Sequence, residues 1–246
     1  MKLTSEQKSS WKNDGHLAVE NVIPAELVAT ERERFDWWCQ HWDCPEATPL
    51  SVEHETSLRR EKWTAKTVRK IHRLEQFDPV FHAHAFHANL LDLVSELIGT
   101  PFSLYETQAF LKPPSFGSPK PPHQDNAYFK VKPADAVITC WGAVDDATIE
   151  NGCMQYYPRS HKAGMIEHKW IEGTPHQIPV GFDTSKPVPV PIKAGGIIFH
   201  HGLALHMSLE NRSQNWRRAF ACHYIRTDAD MTESPVTRDK LTHARS

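Results

Sequence analysis

From Thr100 onward proline and glycine interrupt the chain every few residues, and nothing else in the sequence restricts its fold as much. Pro113-Pro114, Pro119, Pro121-Pro122, Gly152 and Gly195-Gly196 separate short runs with strand-like composition. The runs are 102–111, 123–131, 136–144, 153–157, 188–192, 196–200 and 219–225. Proline cannot donate to a sheet ladder, and strands so short and so often interrupted suit a double-sheet jelly roll better than a parallel α/β sheet. The expected fold is mainly β with flanking helices, around a double-stranded β-helix (cupin-like) core over about 100–226.

The part before it, about 1–99, reads as helical. The pattern predicts a helix over 4–14 stopped by Gly15, a brief strand over 15–19, and a helix from Pro24 to about Trp42. Leu27, Val28, Phe35, Trp38 and Trp42 form an apolar stripe on that second helix. Residues 43–58 read as irregular. The basic run Arg59, Arg60, Lys62, Lys66, Arg69, Lys70 and Arg73 reads as a solvated helix face, with an anion-binding patch as the competing reading. A further amphipathic helix, 86–98, closes at Gly99. With no internal repeat, one domain over 1–246 with a tail at 227–246 is expected.

A formal net charge of −2 gives no global pull toward nucleic acid or an anionic membrane. The five cysteines are odd in number and include no CxxC pair, which suits a reducing compartment. No apolar leader core and no long apolar span is visible. The expectation is a cytoplasmic protein, monomer or homodimer, acting on a small molecule.

Chemistry enters at His123-Gln124-Asp125. In a strand, His123 and Asp125 would share one face while Gln124 points away. Two histidines and one carboxylate fill one face of an octahedral ferrous ion and leave the opposite face open. Among sixteen histidines a lone His-x-Asp is weak evidence, so the second histidine matters. His206 stands eleven residues before Arg217, and His201 stands eleven before Arg212. Spacing does not separate these pairs, but context favours the first. Arg217 opens the strand-like run 218–224, whereas Arg212 lies in a polar turn.

The segments HQDNAYF, CWGAVDDATIENGCMQYYPRSH and FHHGLALHMSLENRSQNWRRAFACHY resemble, in that order, the phytanoyl-CoA dioxygenase family of iron(II)/2-oxoglutarate oxygenases. DGHLAVENVIPAELV and FDPVFHAHAFHANLLDLVSELIG are similar to that family's opening, and 36–70 and 162–188 are the least characteristic stretches. The resemblance implies that His123, Asp125 and His206 bind Fe(II). It implies that Arg217 grips the distal carboxylate of 2-oxoglutarate, a task suited to a forked guanidinium. It places Ser208 near the same carboxylate, and Trp141 and Gln108 at the co-substrate pocket. Core packing accounts for these last two equally well.

With O2 as the second co-substrate, the implied reaction hydroxylates an unactivated C–H of a metabolite and releases succinate and CO2. Desaturation, epoxidation and cyclisation are alternatives, as is a non-catalytic jelly-roll binding or sensor protein. A complete triad with Arg217 argues against that last alternative, and the carboxylate of Asp125 argues against halogenation. The chain departs from the family's Pro-Gly-Ser-His at Pro158-Arg159-Ser160-His161, and from its Gly-Asp at Gly195-Gly196. His82, His84 and His87 are expected to enter a helix and not to form a second metal site. His161 reads as structural, and His200 and His223 as core groups or groups behind the ligands. Residues 36–70, 113–122 and 162–188 are expected at the pocket mouth, and the basic run permits an anionic substrate.

Overall fold

The proline- and glycine-bounded runs fold into two antiparallel sheets that share an apolar interior. The computed structural model describes residues 1–44, 51–55, 62–115 and 117–245. Its strands are β1 (His16–Val19), β2 (Val52–His54), β3 (Val68–His72), β4 (Phe102–Lys112), β5 (Lys120–His123), β6 (Val137–Ala143) and β7 (Met154–Tyr156). They continue with β8 (His168–Trp170), β9 (Gln177–Pro179), β10 (Val188–Val190), β11 (Ile197–His201), β12 (His206–Ser208), β13 (Arg217–Arg226) and β14 (Thr242–Arg245). The larger sheet runs β1-β11-β6-β13-β4-β3-β2, with β14 also on β4. The smaller sheet runs β10-β7-β12-β5, and β8 pairs β9 in a separate ribbon. The architecture is the jelly roll expected from the sequence.

Strand alternation divides the larger sheet's two faces. On β13, Phe220, Cys222 and Tyr224 point outward into a core shared with the N-terminal helices, while Ala219 and Ala221 point toward the smaller sheet. The helices covering the outer face are α1 (Ser5–Asp14), α2 (Ala25–Gln40), α3 (Pro79–Ala85) and α4 (Ala88–Ile98). Thr4 and Gln7 form a capping box at the start of α1, and Gly15 ends it at φ 77°. Val28, Phe35 and Trp38 of α2 are buried, as are Leu90, Leu93 and Val94 of α4.

The region before Thr100 is less helical than its sequence suggests. The basic run is no helix face: Lys66 lies in a 3-10 turn, and Arg69 and Lys70 lie on β3. Val68 and Ile71 are fully buried and β3 joins the ladder of β4, so tertiary pairing overrides the charged composition. Arg59 and Arg60 lie outside the described residues. Gly196, where the resembling family has aspartate, is close-packed: a Cβ there would sit 2.6 Å from the Ile192 side chain.

Candidate active site

The smaller sheet brings the two key histidines face to face, because β5 and β12 pair with His123 opposite His206. Asp125 reaches them by a different route from the one expected. It is not on a strand but in helical conformation, φ −60° and ψ −37°, just before a short helix α5 (Asn126–Phe129). The cause is local. The Asn126 side chain accepts from Val131 N and donates to Val131 O, folding 126–131 into a turn instead of the predicted strand. Gln124, expected to point away, is fully buried and fastens a neighbouring segment. Its amide donates to Gly164 O at 2.9 Å and Leu203 O at 2.7 Å, and its oxygen accepts from Ile166 N.

The three side chains converge. His123 Nε2 and His206 Nε2 each lie 3.6 Å from Asp125 Oδ1, and one ligand atom from each residue falls within a 4.8 Å group. Both rings are oriented in the same way: Nδ1–H donates to the carbonyl two residues upstream, Pro121 for His123 at 2.8 Å and Ala204 for His206 at 3.0 Å. Each Nε2 lone pair is therefore bare and turned inward. Burial lowers the pKa of His123, and burial with the neighbouring His123 and His200 holds His206 well below the usual range. Burial alone would raise Asp125, but the neighbouring His206 and the hydrogen bond from His200 hold it well below the carboxylate range. All three are in the state a metal ion requires.

A polar row across the larger sheet supports the carboxylate. His200, Thr139 and His223 are aligned by register on β11, β6 and β13. Thr139 Oγ1 donates to Asp125 Oδ2 at 2.6 Å, and His200 Nε2 donates to the same oxygen at 2.9 Å. Tyr156 OH donates to His200 Nδ1 at 2.9 Å, and the Tyr156 ring stacks on His16 at 4.3 Å. With Oδ2 doubly bonded, Oδ1 alone faces the histidines, which enforces one-oxygen ligation. His200 and His223 fit their expected place in the core or behind the ligands, whereas Thr139 is brought in only by strand register.

The triad opens into a cavity of about 280 Å³ whose wall also includes Arg217, Ser208, Trp141 and Gln108. Arg217, the first residue of β13, is 3% exposed, and among the described residues its Nε and Nη1 have no hydrogen-bond partner. Its guanidinium lies 5.3 Å from the Trp141 ring centroid. Beside it on β4, buried Lys112 donates from Nζ to Leu209 O. A buried guanidinium with unused donors calls for an anion with parallel acceptor oxygens. Gln108 donates to Glu106 at 3.1 Å, so it is not a bare core residue.

The competing pair stays apart from the site. Arg212 pairs with Glu210 in solvent, and His201 Nδ1 accepts from Leu203 N. His84 bonds Glu31 at 2.5 Å, and the one histidine-acid group able to hold a metal among the described residues is His123, Asp125 and His206.

The amino-acid sequence matches the phytanoyl-CoA dioxygenase family over residues 11–219. The chain belongs to that family. A probable phytanoyl-CoA dioxygenase of Caenorhabditis elegans is 31% identical over 240 residues, covering 92% of this chain and 76% of the relative. Among solved structures, the apo form of the non-heme monooxygenase ThoJ superposes with a TM-score of 0.75 at 21% identity, over 98% of this chain and 86% of that one. The α-ketoglutarate-dependent carbocyclase SnoK from nogalamycin biosynthesis gives 0.72 at 21% identity, over 99% and 92%. This phytanoyl-CoA dioxygenase family member is a 2-oxoglutarate-dependent dioxygenase. Such an enzyme works with Fe(II), 2-oxoglutarate and O2, and the donor set fits the metal: two bare imidazole nitrogens and one carboxylate oxygen. Among the described residues no helix is long and apolar enough to cross a membrane.

Proposed function

We propose that the protein hydroxylates an unactivated C–H of a small-molecule metabolite, with His123, Asp125 and His206 holding Fe(II) and Arg217 holding the far carboxylate of 2-oxoglutarate. One observation carries the reading: the inward-facing triad shares one cavity with the buried Arg217, whose Nε and Nη1 lack partners among the described residues. When bound, iron would couple O2 to the decarboxylation of 2-oxoglutarate, one oxygen atom going to the substrate C–H and the other to succinate, with release of CO2.

The chain's own residues set the conditions for it. Backbone carbonyls fix both imidazole tautomers, and His200 with Thr139 fixes the carboxylate. Arg217, with its pKa pushed down to about 10 by burial, remains a cation at neutral pH. Ser208 and Trp141, 4% and 2% exposed, line the same cavity, with the Trp141 ring beside the Arg217 guanidinium. A dry, oriented pocket matters, since a misplacement of about 1 Å can cost roughly a hundredfold in rate. The same apparatus would serve desaturation, epoxidation or cyclisation, and the similarity to a carbocyclase keeps cyclisation as the second reading.

The test is anaerobic addition of Fe(II) and 2-oxoglutarate, read as a visible metal-to-ligand charge-transfer band. Wild type should show the band, and His123→Ala and Asp125→Ala should lose it while staying folded. A folded, iron-loaded wild type without the band would refute the reading. A metabolite screen scored by succinate release would then identify the substrate.

A further inference from the structure

We propose that the oxidised substrate carries an anionic group, a carboxylate or a phosphoryl, and that Lys120 anchors it beside Arg69 in the cavity that holds the triad. The inference deepens the oxygenase reading and rests on it. Lys120 opens β5 three residues before His123, so its Cα lies within about 10 Å of the ligand's at strand rise. Lys120, Arg69 and Lys70 line the same cavity as the triad.

Carboxylates on this side are already engaged. Glu53 receives Arg69 at 2.5 Å, His72 at 3.0 Å and Lys70 at 4.0 Å. Glu106 receives His72 at 2.8 Å and Gln108 at 3.1 Å. Lys120 has only uncharged partners among the described residues: His176 Nδ1 at 3.1 Å and Tyr128 OH at 3.5 Å, with Nζ 5.0 Å from the Tyr128 ring centroid. Burial, with repulsion from Lys70 and Arg69, pushes its pKa down to about 7. An arriving anion relieves both costs. A divalent ion on the triad would also neutralise Asp125, which otherwise offsets this positive field.

The Lys120 backbone pairs with Ser208 on β12, and its Nζ reaches Tyr128 and His176. The cavity thus holds, besides Arg217, a buried lysine without an acidic partner among the described residues, suited to one anion from the co-substrate and one from the substrate. Lys120 also sits beside the β8–β9 ribbon, which bears His176, so recognition there falls on a segment with little family character.

The test uses the full chain, loaded anaerobically with Fe(II) and 2-oxoglutarate, titrated calorimetrically with inorganic phosphate, octanoate and, as an uncharged control, octanol. Wild type should bind phosphate or octanoate in preference to octanol, and the better probe names the anion. Lys120→Met should weaken that binding by about tenfold or more, and Lys120→Arg should restore most of it. The charge-transfer band should persist in both variants. Equal binding by Lys120→Met, octanol binding as tightly as octanoate, or no anion binding by wild type would each overturn the proposal. So would loss of the band in Lys120→Met, which would move Lys120 to the co-substrate site. A wild type without the band that still binds octanoate through Lys120 would sink the oxygenase reading and leave the anion site standing.

Discussion

His200 Nε2 stands 2.9 Å from Asp125 Oδ2, the carboxylate oxygen that does not face the ligand histidines. Tyr156 fixes its tautomer by donating to Nδ1, so the imidazole can only donate toward Asp125. A hydrogen bond to a charged group contributes about 1.5–3 kcal/mol, or roughly ten- to a hundredfold in affinity. His200→Phe keeps the ring volume and removes the donor, so Fe(II) affinity should fall by about that factor. His200→Gln, which can still donate, should recover part of the loss. Anaerobic metal titration reads both, and a His200→Phe affinity within about twofold of wild type would show that Thr139 alone positions Asp125.

Arg217 is a separate matter, since its guanidinium has unsatisfied Nε and Nη1 in a buried site. Arg217→Met should weaken 2-oxoglutarate by about 30-fold or more, the effect of truncating one partner of a buried charge pair. Arg217→Lys keeps a point charge but loses the fork, and should fall between the two. Fe(II) binding without co-substrate should change little in either variant. A Lys variant matching wild type for 2-oxoglutarate would mean that the paired geometry is unimportant.

Much of this architecture was legible because proline and glycine bound the strands locally. His123, His206 and Arg217 could be singled out because each adjoins a recognisable strand run. Asp125 was placed on the wrong element, since the bonds from Asn126 to Val131 that fold its turn are invisible to strand alternation. β3 was read as a helix because its charges were legible and its pairing with β4 was not. Of the groups that support Asp125, the sequence singles out His200 and His223 as core groups or groups behind the ligands, but not Thr139. His200, Thr139 and His223 meet only through register, and no spacing along one chain encodes register directly.

His72 links Glu53 and Glu106 through its two ring nitrogens. Burial opposes its charge, but the hydrogen bonds with Glu106 and Glu53 outweigh burial and raise its pKa. Glu53 and Glu106 are both held down to about 2, against burial and mainly through their bonds to His72. A raised folded-state histidine stabilises most below its unfolded value of about 6.5, and loses that contribution as pH climbs through the folded value. The stability gap between wild type and His72→Gln should therefore be larger at pH 6 than at pH 9. Urea denaturation at both values measures it, and a gap that grows with pH would contradict a charged His72.

Arg159 occupies the left-handed region, φ 69° and ψ 0°, at the position where the resembling motif has glycine. A side chain there strains the backbone by about 1–2 kcal/mol. Part of that is offset because arginine restricts the unfolded chain more than glycine does. Arg159 is exposed, and among the described residues its side chain takes part in no ion pair, so little is lost with it. Its backbone N–H donates to Asp14 O at 3.2 Å, a bond glycine would keep. Arg159→Gly should stabilise the fold by about 0.5–1 kcal/mol, raising Tm by roughly 1–4 °C for a chain of this length. Thermal unfolding with matched metal loading decides it: an unchanged or lower Tm would mean that arginine is held there by contacts worth as much as the strain.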